Sequence, residues 1–317
     1  MATFLTLIPE IRHTILELTL YFPVEVPQSF NDVSNRTPAT LIKSRTWSRF
    51  HDVLYTPFNR TDLIPLLLVN KQLHLETLAA IERIPTKHSY ILDIVLYNET
   101  SLLPTWLYLP ELSTDVDSIH ATIRYIGMSP TGDNAFRGAD GSPPLLYWML
   151  FSLLENILCG NVIGNKLQTI GVKHLEIDIE TPTETQEMKN LRLEYEDARS
   201  KAHLARQPMK VMKPRLMDSR RVVQAVTGGI TRMLFMWRDA KQYGKVLYES
   251  LDVVHVKVDG KMHREWKMGD VLDGMDGESY GRGEEDDREE FRIWKKSVVQ
   301  RRIDRGLSMG RARKEER

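Results

Sequence analysis

A chain of 317 residues has room for one large domain, or for a small module joined to a larger one. Its 42% hydrophobic content supports a packed core, and 43 basic residues against 43 acidic ones leave no global field to draw it to nucleic acid or an anionic membrane. The single cysteine, Cys159, excludes an internal disulfide and a thiolate metal site, and it suits a reducing compartment.

The first periodic stretch runs from Phe4 to Leu20. Thr6 can cap a helix, and Pro9 and Glu10 suit a first turn, where a missing N–H and a negative charge both fit. Ile8, Ile11, Ile15 and Leu18, with Leu16 on a flanking row, then fall on one apolar face. A helix this short needs a partner from the same chain. Residues 22–62 hold Pro23, Pro27, Pro38 and Pro57 without a sustained period, so they read as a long loop in which Trp47, Phe50, Leu54 and Tyr55 could dock one piece. The partner helix is expected over Leu63 to Ile84, with Leu67, Leu68, Leu75, Leu78 and Ile81 inward, Glu76 and Glu82 outward, and Pro85 ending it.

Four strands follow on β-branched content and alternation: Tyr90–Tyr97, Ser118–Tyr125, Val172–Ile179 and Leu251–Val258. Between them lie a Gly- and Pro-rich loop at 130–144, an apolar helix over 143–161, a charged helix over 186–207 that projects into solvent, and a helix from Ser219 to Tyr243. Asp218 caps that last helix, and Val222, Val226, Met233, Leu234 and Trp237 form its core face. The order argues for an α/β (or α+β) fold. It is a layered domain of four or more strands with helices mainly on one face, because His120, Thr122, Arg124, His174, Glu176, Asp178, His255 and Lys257 share the polar sides of their strands. Residues 273–290 then carry nine acidic residues against two basic, and 291–317 carry ten basic against three acidic. Phe291, Trp294, Val298 and Ile303 give the second block a weak helical face, and the chain from Gly306 onward reads as disordered. The division is therefore 1–84, 85–270 and a charged, partly disordered tail at 271–317.

Chemistry-bearing patterns are sparse. His120, His174 and His255 beside Glu176 and Asp178 invite a metal-site reading, but one ligand per strand without HxH or HExxH spacing also describes a solvated sheet face. Gly160 to Lys166 has three residues between its glycines rather than the four of a phosphate loop and reads as a helix stop. Gly228-Gly229 suits close helix packing. Cys159 ends an apolar helix with no base beside it in sequence. Lys295-Lys296 and Arg301-Arg302 could meet phosphates, or pair with the acidic block before them. No catalytic residue, metal ligand or cofactor is assigned. The run Leu145 to Cys159 is too short to span a bilayer and no leader pattern opens the chain, so a cytoplasmic or nuclear location is expected and Asn35, Asn59 and Asn98 read as chance sequons.

Leu7-Ile8-Pro9-Glu10-Ile11-Arg12 with Ile15 and Leu18 resembles the opening helix of the fungal F-box-like proteins, written L-P-x-E-I-R-x-x-I-Y-E, with Pro9 one place later than usual. Leu66-Leu67-Leu68-Val69-Asn70-Lys71-Gln72-Leu73-His74-Leu75-Glu76 resembles their second hallmark, a leucine-rich stretch ending in V-C/N-R/K-Q-I/L-x-x-E. The likeness covers about the first 100 residues. It implies an F-box-like helical module over 1–84 that binds the Skp-type adaptor of a cullin–RING ubiquitin ligase, with Leu7, Pro9, Ile11, Ile15 and Leu18 at the interface and the second domain selecting a protein substrate. The leading expectation is thus a non-enzymatic interaction protein without membrane or nucleic-acid partners. The alternatives are an α/β protein with no ligase role, an enzyme or metal-binding protein using the sheet face around His174, Glu176 and His255, and a nucleic-acid binder using the tail.

Overall fold

Two periodicities in the strands decide the architecture. The structure, a computed structural model, describes residues 4–21, 24–29, 31–33, 36–37, 58–59, 63–86, 88–111, 113–127, 144–159, 169–184, 186–204, 218–236, 240–275 and 285–310. After a 3-10 turn at Phe4–Thr6 come α1 (Pro9–Tyr21), β1 (Phe58–Asn59), α2 (Leu63–Val69), α3 (Lys71–Arg83), β2 (Ser89–Tyr97), β3 (Ser101–Tyr108) and β4 (Asp115–Ile126). Then follow α4 (Leu145–Leu158), β5 (Gly171–Ile179), α5 (Gln186–Leu204), α6 (Ser219–Phe235), a π turn at Ala240–Gly244, α7 (Lys245–Ser250), β6 (Leu251–Val258), β7 (Lys261–Lys267), α8 (Met268–Gly274) and α9 (Glu285–Asp304).

The strands form one sheet in the order β1-β3-β2-β4-β5-β6-β7. β2, β4, β5 and β6 are parallel neighbours, while β3 and β7 are antiparallel additions at either side. The parallel strands advance in one direction, and right-handed crossovers then all pass over the same face. Helices α4, α6, α7 and α9 accordingly cover that face, against Leu92, Ile94, Ile119, Ile123, Leu175, Ile177, Val254 and Val256. The opposite face carries the polar row of β4, β5 and β6. Gly229 of α6 suits this packing, because a Cβ there would sit 3.3 Å from the Tyr147 ring of α4, a tight contact. Trp237 and the segments at 130–143 and 160–166 lie outside the described residues.

Three strands were not expected: β3, β7 and the two-residue β1, which pairs in parallel with β3. β7 follows β6 through Asp259-Gly260, both at positive φ (50° and 75°), the backbone a tight hairpin turn requires. β3 pairs with β2 across a turn in which Asn98 and Glu99 have φ of 49° and 62°.

The chain between α1 and α2 is anchored at its described residues; the aromatic cluster at 47–55 lies outside them. The Val24 N–H donates to Leu107 O at 2.8 Å, and Val33 is buried with Val95 and Leu103 on the open face. Beneath this strap Arg124 forms a two-point pair with the buried Asp93 (Nε to Oδ1 2.6 Å, Nη2 to Oδ2 2.8 Å), and Nη2 also donates to Pro27 O at 2.7 Å. Arg36 donates to Pro104 O and to the Thr105 hydroxyl, and burial lowers its guanidinium to about 10 against the attraction of Asp93.

The C-terminal segment departs from expectation. Residues 285–304 form a helix whose Phe291, Trp294 and Val298 enter the main core, so this stretch belongs to the α/β layer and is not a solvated tail. Ile303, expected on the same face, points outward at 43% exposure. Residues 307–310 are also placed, with Leu307 buried. Arg302 is completely buried: its guanidinium donates to the carbonyls of Tyr248, Leu251 and Ser308 and meets Asp252 Oδ1 at 2.8 Å. Arg301 grips both oxygens of Glu249 at 2.7 and 2.8 Å, and Arg305 donates to Glu249 O. The arginine pair that could have met phosphates instead closes the seam between α7 and β6.

Truncating a buried charged group strands its partners, so Arg302→Ala is expected to cost about 3–5 kcal/mol. The exposed Arg292→Ala on the same helix is expected to change stability by less than about 0.5 kcal/mol. Urea unfolding followed by circular dichroism measures both.

Candidate functional site

Helix α1 meets the chain through one row of side chains. Leu16 and Leu20 are buried with Leu73, Ala80, Ile81 and Ile84 in a small core of their own, against which Phe4 and Leu66 pack. That core exists because the expected helix at 63–84 is two helices. Asn70 interrupts it in an extended conformation (φ −163°) and its side-chain oxygen accepts from the Leu73 N–H, capping α3 and setting α2 at an angle to it. The buried row of α3 is Leu73, Thr77, Ala80 and Ile81. Leu75 and Leu78, expected inward, are exposed, as is Leu68 on α2.

Arg12 lies in the buried row of α1 at 6% exposure. Its Nε donates to Glu76 Oε2 at 3.0 Å and its Nη2 to Oε1 at 2.6 Å, while Nη1 donates to Leu7 O and reaches Leu5 O at 3.4 Å. Glu76 therefore faces α1 rather than solvent. The hydrogen bond from Arg12, with a second from Gln72 at 3.0 Å, holds the Glu76 carboxyl down at about 2, and the same contact raises the Arg12 guanidinium. Further along, Arg83 donates to His13 Nδ1 at 3.2 Å and lies 3.9 Å from Glu17.

The residues expected at a partner interface sort cleanly. Ile11 and Ile15 are 47% and 38% exposed, Leu18 is 64% exposed, and Ile8, just before the helix, is 58% exposed. At steps of three, four and three they make one continuous outward stripe. Pro9 is exposed and Leu7 is half-buried, with its carbonyl taken by Arg12. Leu16, expected on the flank of this face, is buried instead. The residues missed are Arg12 and Glu76, although each is the polar end of one hallmark motif.

The open sheet face is the other cluster of interest. Register places His120, Glu176, His255 and Glu265 in one row across β4 to β7. Glu176 lies 3.5 Å from His120 Nδ1 and 2.5 Å from Lys257 Nζ, and His255 Nε2 lies 2.9 Å from Glu265 Oε2. Burial pushes the Glu176 carboxyl up, but the hydrogen bond from Lys257 and the nearby His120 leave it below its ordinary value. Glu265 is held down chiefly by His255. His174 and His255 rings are 6.3 Å apart. Among the described residues, no three His, Cys, Asp or Glu side chains converge as a metal site would need, and no helix is long and apolar enough to cross a membrane. Cys159 is half-buried, and burial pushes its thiol up to about 11. Comparisons with protein-family models, curated proteins and solved structures find no match for this chain.

The two rows of α1 should answer oppositely to substitution. Leu16→Ala is expected to destabilise by about 2–4 kcal/mol through lost burial and a cavity. Ile11→Asp with Ile15→Asp is expected to cost about 1 kcal/mol or less, as exposed helix positions do; denaturant midpoints compare them. Glu76 adds a pH signature. Its folded value of about 2 lies below the ordinary 4.5, so its stabilisation is complete above about 4.5, fades as pH falls and is gone below about 2. The thermal midpoint of Glu76→Gln should lie below that of the parent at neutral pH and converge with it across this window.

Proposed function

We propose that the protein is a non-enzymatic interaction protein whose N-terminal helices dock a partner through α1. One observation carries this: the Ile8, Ile11, Ile15 and Leu18 stripe stays outward while the helix is anchored from its other side. Large aliphatic side chains in a row on an anchored short helix fit a helix-in-groove contact. The two hallmark motifs direct the choice of partner to a Skp-type adaptor, which makes the chain an F-box-like subunit of a cullin–RING ubiquitin ligase. The α/β layer, with its open polar face, would then present a protein substrate. The acidic neighbours Glu10 and Glu17 argue against an anionic bilayer as the occupant of the stripe, since interfacial helices flank their apolar face with Lys and Arg.

Co-purification with a Skp-type adaptor tests the proposal. The parent chain should retain the adaptor. The Ile11→Asp, Ile15→Asp chain should lose it while keeping the parent's circular dichroism and a stability within about 1 kcal/mol of the parent's. A parent that retains none would overturn the adaptor role.

A further inference from the structure

Helix α1 carries two apolar rows, and the less apolar one is buried. The inward row is Arg12, Leu16 and Leu20; the outward row is Ile8, Ile11, Ile15 and Leu18. If removal of apolar area from water alone decided the matter, the second row would face α3. A roll of roughly a third of a turn about the helix axis would achieve that, since successive residues lie about 100° apart.

The guanidinium of Arg12 resists it in a directional way. Two of its nitrogens are fixed on Glu76 of α3 and the third on the carbonyls of Leu5 and Leu7, so it ties α1 both to α3 and to the turn preceding it. Rolling the helix would break all of these contacts and leave Glu76 without its partner. An ion pair largely withdrawn from water adds little net stability, yet it can discriminate between packings of similar apolar content, as a polar side chain at a coiled-coil core position fixes register.

We infer that Arg12 and Glu76 are positioning residues that select which face of α1 is presented, holding the isoleucine row outward for a partner. The partner rests on the docking function proposed above; the selection of the face does not.

Thiol accessibility in the full chain tests this. With Cys159→Ser as background, Ile11→Cys or Leu16→Cys is introduced and its rate of reaction with a maleimide is measured, folding being checked by circular dichroism. In the parent, position 11 should react at least about tenfold faster than position 16, which opens only through local fluctuation. Adding Arg12→Gln with Glu76→Gln should reverse the order, and the charge-reversed pair Arg12→Glu with Glu76→Arg should restore it. An unreversed order in the glutamine chain would overturn the inference. So would fast reaction at both positions, which would mean that the pair holds the helix on rather than choosing its face, or failure of the reversed pair to restore the order. A parent whose isoleucine row labels rapidly but which retains no adaptor would sink the docking function and leave face selection standing.

Discussion

A guanidinium taken out of water must satisfy a planar fork of donors, and that requirement fixes where distant segments of this chain meet. Arg12 joins α1 to α3 through Glu76 across a loop of some forty residues. Arg124 joins β4 to β2 through Asp93, and it also holds the strap at Pro27. Arg302 closes α9 onto the start of β6 through Asp252 and three carbonyls. Apolar burial supplies the bulk of the driving force but is indifferent to small rotations and slips. The arginines are not indifferent, because a planar fork of donors is satisfied in a narrow range of arrangements.

The same contrast separates the two halves of the molecule. In the α/β layer, parallel strands that advance in one direction place the connecting helices over one face, so the core there is large. Its other face is left with side chains that largely satisfy one another: Glu176 between His120 and Lys257, His255 with Glu265, and the Gly260 N–H on the Asp178 carboxylate. Against the upward push of burial, Glu176 is held ionised there chiefly by Lys257. The N-terminal core is small by comparison, and a single ion pair carries weight in it.

How much of this could be read from the letters follows from the kind of periodicity each element has. Tyr90–Tyr97 and Val172–Ile179 alternate or run β-branched, and the one-faced layering followed from the polar letters at His120, Glu176 and His255. β3 was not legible because Pro104 breaks its pattern, and β7 because nearly all its side chains face solvent; Asp259-Gly260 was the overlooked cue. The face of α3 was misread for a different reason. Leu67 and Leu68 were read in one phase with Leu75 and Leu78, but Asn70 caps a new helix and resets the phase, so that Leu73, Thr77, Ala80 and Ile81 take the inward positions toward α1. The C-terminal helix was misread because composition outweighed pattern: ten basic letters suggested solvent, whereas Phe291, Trp294 and Val298 were already spaced for burial and the arginines had buried partners.

Helix α1 breaks a local rule. A helix with two apolar rows and one packed side should bury the richer row, and a sequence under selection for stability alone would have no reason to place an arginine in the poorer one. Sequences that specify a single structure agree across levels, and departures from that agreement concentrate where function demands them. Here the departure is specific: four large aliphatic side chains face solvent on a helix whose inward anchor is charged and bound at both ends. The outward row is therefore best understood as held out, not left over.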